Sequence, residues 1–263
     1  MNRRASTLLA LLVAALWAWW KLDLHLSDLI PTKGGADIAK DFFSSAWSPA
    51  FQYQSNLVPQ DAPPFLWVVA QGMLRTIYFA TAAMTLAVIV GMPLSALGSR
   101  LVPPWVRIPI RVLVGGMRSV HELLWAIIFL AAIGLNSGAA VIALAIPYAG
   151  TLAKIGAEML DETSDHAYQA MQGFGTKKFT AFIAGLLPQA APDLAGYTFY
   201  RFECAIRSSA VLGFFGYETA GYYLKASFEN LQYQEVWTWL YAFILLVLLL
   251  ETWSGQLRRR FVA

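Results

Sequence analysis

Six apolar runs, most of them close to the ~20 residues a helix needs to cross a bilayer, constrain this chain more than any other feature. They occupy residues 6–20, 74–97, 112–135, 139–156, 190–212 and 237–257. A soluble domain carries about a quarter charged residues, whereas here 13% of 263 residues are charged and 58% are hydrophobic. A soluble helical domain also needs a polar face on each surface helix, and most of these runs lack one. Lipid offers no partner for backbone N–H and C=O groups, so the segments must satisfy them internally as helices. The expectation is an all-α integral membrane protein with six transmembrane helices.

The first run follows Arg3 and Arg4 and ends on Trp17, Trp19, Trp20 and Lys21. No small-residue cleavage pattern follows it, so it reads as a retained, interface-anchored helix rather than a signal peptide. Residues 21–64 are polar and turn-rich, with Pro31, Gly34, Gly35, Pro49, Pro59, Pro63 and Pro64. They read as an extramembrane loop containing short helices. The chain thus divides into 1–64, a first helix with its loop, and 65–263, a core of five spans. Residues 65–97 exceed one perpendicular crossing. Arg75 marks an interfacial lead-in ahead of a span over 74–97.

Six spans put both termini on one side. With the termini inside, eleven basic residues lie in the cytoplasm: Arg3, Arg4, Arg100, Arg107, Arg111, Lys154, Lys177, Lys178, Arg258, Arg259 and Arg260. Four face outward: Lys21, Lys33, Lys40 and Lys225. That asymmetry fixes the orientation by the positive-inside rule. The remaining four of the nineteen, Arg75, Arg118, Arg201 and Arg207, fall within or beside apolar runs.

Several functions lack their residues. Cys204 is the single cysteine and the three histidines are far apart in sequence, which leaves no disulfide and no metal-ligand spacing. The glycines and lysines of residues 173–178, GFGTKK, lack the Gly-Lys-Ser/Thr of a phosphate loop. A membrane-embedded phosphatase or transferase would need clustered Asp, His or Ser, and none is apparent. A passive channel is a further class that such runs could build.

The segment over 158–188 is the one polar, glycine-punctuated stretch between two runs on the cytoplasmic side. Acidic and hydroxyl residues at 161–165 suit a helix N-terminus. After Gly175, Phe179, Phe182, Ile183, Leu186 and Leu187 recur at near-helical spacing. This predicts a short helix lying across the membrane face and turning into the fifth span at Pro188. A connector without a partner fits the same residues.

This segment resembles the E-A-A-x-x-x-G-x(9)-I-x-L-P motif of bacterial ABC-importer permeases. Gln169, Ala170 and Met171 stand at E-A-A, Gly175 at the glycine, Gly185 at the isoleucine, and Leu187-Pro188 at the close. Residues 118–162 and 197–224 are similar to permeases of the phosphonate-uptake family, which includes phosphite importers. The resemblance covers about residue 72 to the C-terminus. It implies a type I importer permease fold with a cytoplasmic coupling helix, in a bacterial inner membrane. It also implies two permeases forming one pore together, here a homodimer, with a cytoplasmic ABC ATPase dimer and an extracytoplasmic solute-binding protein. ATP and Mg would bind the ATPase; this chain would hold no cofactor, no metal and no nucleic acid. The coupling residues would be Gln169, Ala170, Gly173, Gly175, Lys177, Leu187 and Pro188.

Charges inside apolar runs are costly and face a partner or a wet cavity. Arg118 and Glu122 are four apart, as are Glu203 and Arg207, which predicts each pair on one helical face. Arg201 lies mid-span, about half a turn from Glu203. Mutual neutralisation explains such pairs; a route for an anion explains the surplus arginines, whose donor forks suit phosphonate or phosphite oxygens. Gly213, Gly216 and Gly221 permit a re-entrant turn on the outer side, as a gate or docking surface, or as an ordinary interfacial loop. An importer for another small solute, such as an amino acid, shares this architecture.

Overall fold

The computed structural model describes residues 3–23, 25, 33–55, 59 and 61–262, and among them no strand occurs. Two compact units divide at 48/49. In the first, α1 (Arg3–Lys21) is apolar on every side, with Lys21 over the Trp20 ring, and α2 (Lys33–Ser44) is a short amphipathic helix.

The second unit is a helical bundle: α3 (Phe65–Gly98), α4 (Pro104–Ser119), α5 (Glu122–Ile133), α6 (Ser137–Glu162), α7 (His166–Gly173), α8 (Lys178–Ala181), α9 (Leu187–Val211), α10 (Ala220–Glu229) and α11 (Tyr233–Val262). Residues 49–54 belong with it because they bond to the start of α11: Thr238 donates to the Ala50 carbonyl at 2.6 Å, and the Gln54 amide to Glu235 at 2.6 Å.

The core sits on α6, which packs most extensively against α3. In its apolar stretch 61% of residues are buried against 17% for α11, so α6 is central and α11 peripheral in the bundle. Ala80, Met84 and Ala87 of α3, Tyr148, Ala149 and Leu152 of α6, and Ala205 and Ile206 of α9 form one cluster. Small residues let the backbones close: a Cβ at Gly91 would stand 2.8 Å from the Ala149 carbonyl oxygen.

Four expectations change. The lead-in and the second span form one uninterrupted helix over 34 residues, α3, with Arg75 in its first third. At about 1.5 Å per residue it is about 51 Å long, so it overruns the bilayer core. The third run is not one straight helix: α4 and α5 meet at 85°. Val120 and His121 are extended there, and the His121 ring accepts from the Leu123 amide at 3.3 Å, capping α5. Arg118 closes α4 and Glu122 opens α5, each at the helix end its charge suits. They therefore do not share a helical face.

The third change concerns the acidic residues at 161–165. Asp161 and Glu162 end α6, and only Asp165 stands before α7. Asp161 accepts from the Arg100 amide at 2.6 Å and from Arg111 at 3.1 Å, tying the end of α6 to the loop after α3 and to the middle of α4. Fourth, α8, a π-helical turn (Phe182–Leu186) and α9 continue in helical conformation through Leu187, so the chain turns at Gly175 and not at Pro188.

By length and mean hydropathy, α3, α6 and α11 qualify as spans, and α4 with α5 makes a fourth if the bent pair is one. Helix α1 loses apolarity to its tryptophans and Lys21. Helix α9 loses it to Asp193, Arg201, Glu203 and Arg207, the residues that make it interesting.

Candidate translocation face and coupling segment

Helix α9 carries a polar stripe. Asp193, Tyr197, Tyr200, Arg201, Cys204, Arg207 and Ser208 recur at three- and four-residue steps, so they share one side. Midway along it, Arg201, Cys204, Arg207 and Ser208 meet Glu122 of α5 and Tyr148 of α6 around a cavity of about 310 Å³. The structure thus brings together three of the expected path residues, Glu122, Arg201 and Arg207.

Their bonds cross three helices. Tyr148 donates to Ser208 at 2.9 Å, and Ser208 donates to Glu122 Oε1 at 2.8 Å. Arg201 donates from Nε to the Tyr197 hydroxyl at 2.7 Å, and its guanidinium lies 5.1 Å and 5.7 Å from the Tyr197 and Tyr200 ring centres. A guanidinium held on two aromatic faces keeps its charge and remaining N–H groups for another ligand. Arg207, exposed, donates to Cys204 Sγ at 3.6 Å. Such a site can hold an oxyanion by charge and by several N–H donors, weakly enough to release it.

Below it, towards α7, the stripe borders a second cavity of about 690 Å³, lined by Asp193, Tyr197 and Tyr200 of α9 with Glu162 and Thr163 beside the end of α6. Its charged groups, Glu162 and Asp193, are acidic, so it does not attract an anion as the arginine cavity does.

The other expected path residues lie elsewhere. Arg118 borders a separate recess of about 190 Å³ with Arg111, Lys154 and Glu158. Glu203, half-buried on α9, does not line the arginine cavity. Gly213 and Gly216 shape the return at the α10 end. A Cβ at Gly213 would stand 2.0 Å from the Tyr222 amide nitrogen, and one at Gly221 2.1 Å from the Ala210 carbonyl oxygen. Gly216 has φ +96°. Thr219 donates to the Ala210 carbonyl at 3.0 Å, and the Ala220 amide to Thr76 at 3.0 Å. An ion pair between Arg75 and Glu218 borders a cavity of about 520 Å³ there, with Asn136 and Tyr217.

At the opposite end, α7 carries Gln169, Ala170 and Gly173, all exposed or nearly so. Gly175 follows at φ +82°, with nothing within 4 Å of where its Cβ would be. Lys177 precedes α8, and Leu187 and Pro188 open α9. A Cβ at Gly185 would be 3.2 Å from Tyr168 Cα, so the glycine at the motif's isoleucine position lets α7 close on the π-helical turn. Phe174 is 92% exposed between Gly173 and Gly175.

Sequence reasoning missed Tyr148, Ser208 and Phe174 and put Asp161 at the wrong helix end. Tyr148 and Ser208 look like ordinary helix residues until α6 and α9 pack. Phe174 stood inside the motif and carried a signal: a large apolar side chain between two glycines has little to bury against.

Residues 83–261 match the family described as "Binding-protein-dependent transport system inner membrane component". The chain is similar to the phosphite transport system permease protein PtxC of Stutzerimonas stutzeri, with 34% identity over 57% of this chain and 55% of that protein. It is similar to the phosphate-import permease protein PhnE of Mycolicibacterium smegmatis, with 30% identity over 72% of this chain and 36% of that protein. The chain therefore spans about half the length of the first and about a third of the second. A solved inward-facing structure of the MetNI methionine ABC transporter superposes with TM-score 0.68 at 18% identity, covering 76% of this chain and 99% of that one. At that identity the likeness speaks for the fold alone. By the match over most of its length, the chain belongs to the family of inner-membrane components of binding-protein-dependent transport systems.

Proposed function

We propose that this chain is the permease subunit of an ATP-driven importer and carries a phosphonate- or phosphite-type oxyanion past Arg201 and Arg207. The observation that carries the reading is the arginine cavity, lined by two guanidiniums of the polar face of α9 and by the Glu122 carboxylate of α5. The names of PtxC and PhnE support the same substrate class.

Uptake against a gradient needs an energy source, and this sequence has no phosphate loop. The energy comes from a cytoplasmic ABC ATPase dimer, which binds ATP and Mg and seats α7 and the Gly175 turn. The exposed backbone of that turn and the bare Phe174 ring offer such a seat. Motion then reaches α9 through the continuous helical run from Lys178. A second copy of the chain completes the pore, and a solute-binding protein delivers substrate at the α10 end. With α1 and α9 counted as spans, both termini are cytoplasmic. Arg118, Glu203, Gly213 and Gly216 act at the margins of the path or its gate.

The test is uptake by proteoliposomes holding this permease and its ATPase, with binding protein and internal ATP. Labelled phosphite is the tracer, competed by methylphosphonate, phosphate and methionine, with labelled methionine run in parallel. ATP-dependent phosphite uptake, competed by methylphosphonate and not by methionine, is expected. Uptake of methionine alone would overturn the substrate class and leave the arginines a structural role.

A further inference from the structure

The arginine cavity contains a group that attraction of an anion does not require. Glu122 lies beside two guanidiniums, yet among the described residues its side chain accepts a hydrogen bond from Ser208 alone, and its ion-pair contact within 4 Å is with His121. Arg201 is engaged by Tyr197 and Arg207 by Cys204. Neutralisation of the arginines therefore does not account for the carboxylate. Its Oε1 accepts from Ser208, itself fixed by Tyr148, while Oε2 stands 3.6 Å from His121 Nε2, beyond a good hydrogen bond. An ionised carboxylate is acceptor-only, with about four lone-pair sites. It can receive a proton donor and repels an oxygen that has none.

We infer that Glu122 reads the protonation state of the cargo. It accepts the P–OH of an oxyanion that keeps one proton, while Arg201 and Arg207 take the bare oxygens. This rests on the reading that the cavity carries a phosphorus oxyanion. Two positive groups and one negative group match a monoanion. Sulfate, of similar shape but without a proton near neutral pH, leaves Glu122 facing a bare oxygen and is refused. Phosphate-type second ionisations fall at about pH 6, so the cargo changes state not far below neutrality.

The neighbours of Glu122 are His121 in the α4–α5 break, Tyr148 on α6, and Arg201, Cys204 and Arg207 on α9. Arg118 closes α4 and borders a different recess. His121 is the imidazole that approaches Glu122, so its variant is the control.

The experiment measures phosphite binding by ³¹P line broadening on the permease–ATPase complex in nanodiscs, without binding protein, between about pH 5 and 8. Glu122→Gln keeps Oε1 as acceptor for Ser208, removes the charge and puts an N–H donor where Oε2 was an acceptor. Wild type is expected to bind less as pH rises and to favour phosphite over sulfate by about tenfold or more, the scale of one charge-assisted hydrogen bond. E122Q should flatten the pH profile and let sulfate compete about tenfold better, with Glu122→Asp restoring rejection. An E122Q protein that keeps both the profile and the rejection would overturn the inference, as would transfer of the whole pH effect to His121→Gln. Absence of any broadening in wild type, or broadening unchanged in the Arg201→Gln, Arg207→Gln double variant, would instead sink the underlying reading.

Discussion

The turn at Gly175, between α7 and α8, and the return at Gly213 to Gly221, between α9 and α10, both rest on glycine. A methyl group would meet empty space at the first and backbone within 2.1 Å at the second. Gly175 is there for its left-handed φ, which an L side chain enters at a cost of roughly 1–2 kcal/mol. Gly213 and Gly221 are there because two backbones pass too close for a Cβ. The return before α10 is thus packed by the chain itself, with Thr219 and Thr76 satisfying the polar groups that it buries. The α7 end is left open, with Phe174 bare beside the turn. A surface whose own chain does not fill it is suited to a partner.

Substitution should separate the two. Gly213→Ala or Gly221→Ala forces rigid backbone apart, so the loss should reach or pass the ~3 kcal/mol upper end of ordinary overpacking. Little monodisperse protein is expected from either variant, and thermal unfolding in detergent measures it. A variant melting within a few degrees of the parent would show that the return is looser than its geometry. Gly175→Leu should do the opposite: the chain folds with only the strain cost, while ATP-dependent uptake falls at least about tenfold because the seat for the ATPase is blocked. Normal ATPase association and uptake in that variant would refute the coupling role.

The same contrast explains what the sequence made legible. Apolar runs announce membrane helices because their period and length are local properties, and α3, α6 and α11 were readable for that reason. The break between α4 and α5 was not, since Val120 and His121 interrupt an otherwise helical composition without glycine or proline. The reading of Arg118 and Glu122 as one pair failed with it. Glu122, Arg201 and Arg207 were individually visible as charges out of place. Their meeting was not, because it depends on how α5 and α9 pack around Tyr148 and Ser208. The motif spacing located Gly175, yet the apolar period after it suggested a separate surface helix. The π-helical turn absorbs that period into a run continuous with α9.

The smallest expected effect sharpens the comparison most. Gly173 ends α7, is exposed, and has nothing within 4 Å of the place a methyl group would occupy. Alanine favours helix over glycine by about 1 kcal/mol in a helix interior, and by less at an end. Gly173→Ala should therefore leave the melting temperature of the isolated permease unchanged or slightly raised. If the ATPase lies against this backbone, the methyl group is met only in the complex, and ATPase affinity should fall about fivefold, about 1 kcal/mol. A stable chain with weaker assembly can only be explained by a partner occupying the space that the chain leaves open. Unchanged affinity would instead shrink the seat to Phe174, Gly175 and Lys177, with α7 serving to position them through its contact at Gly185.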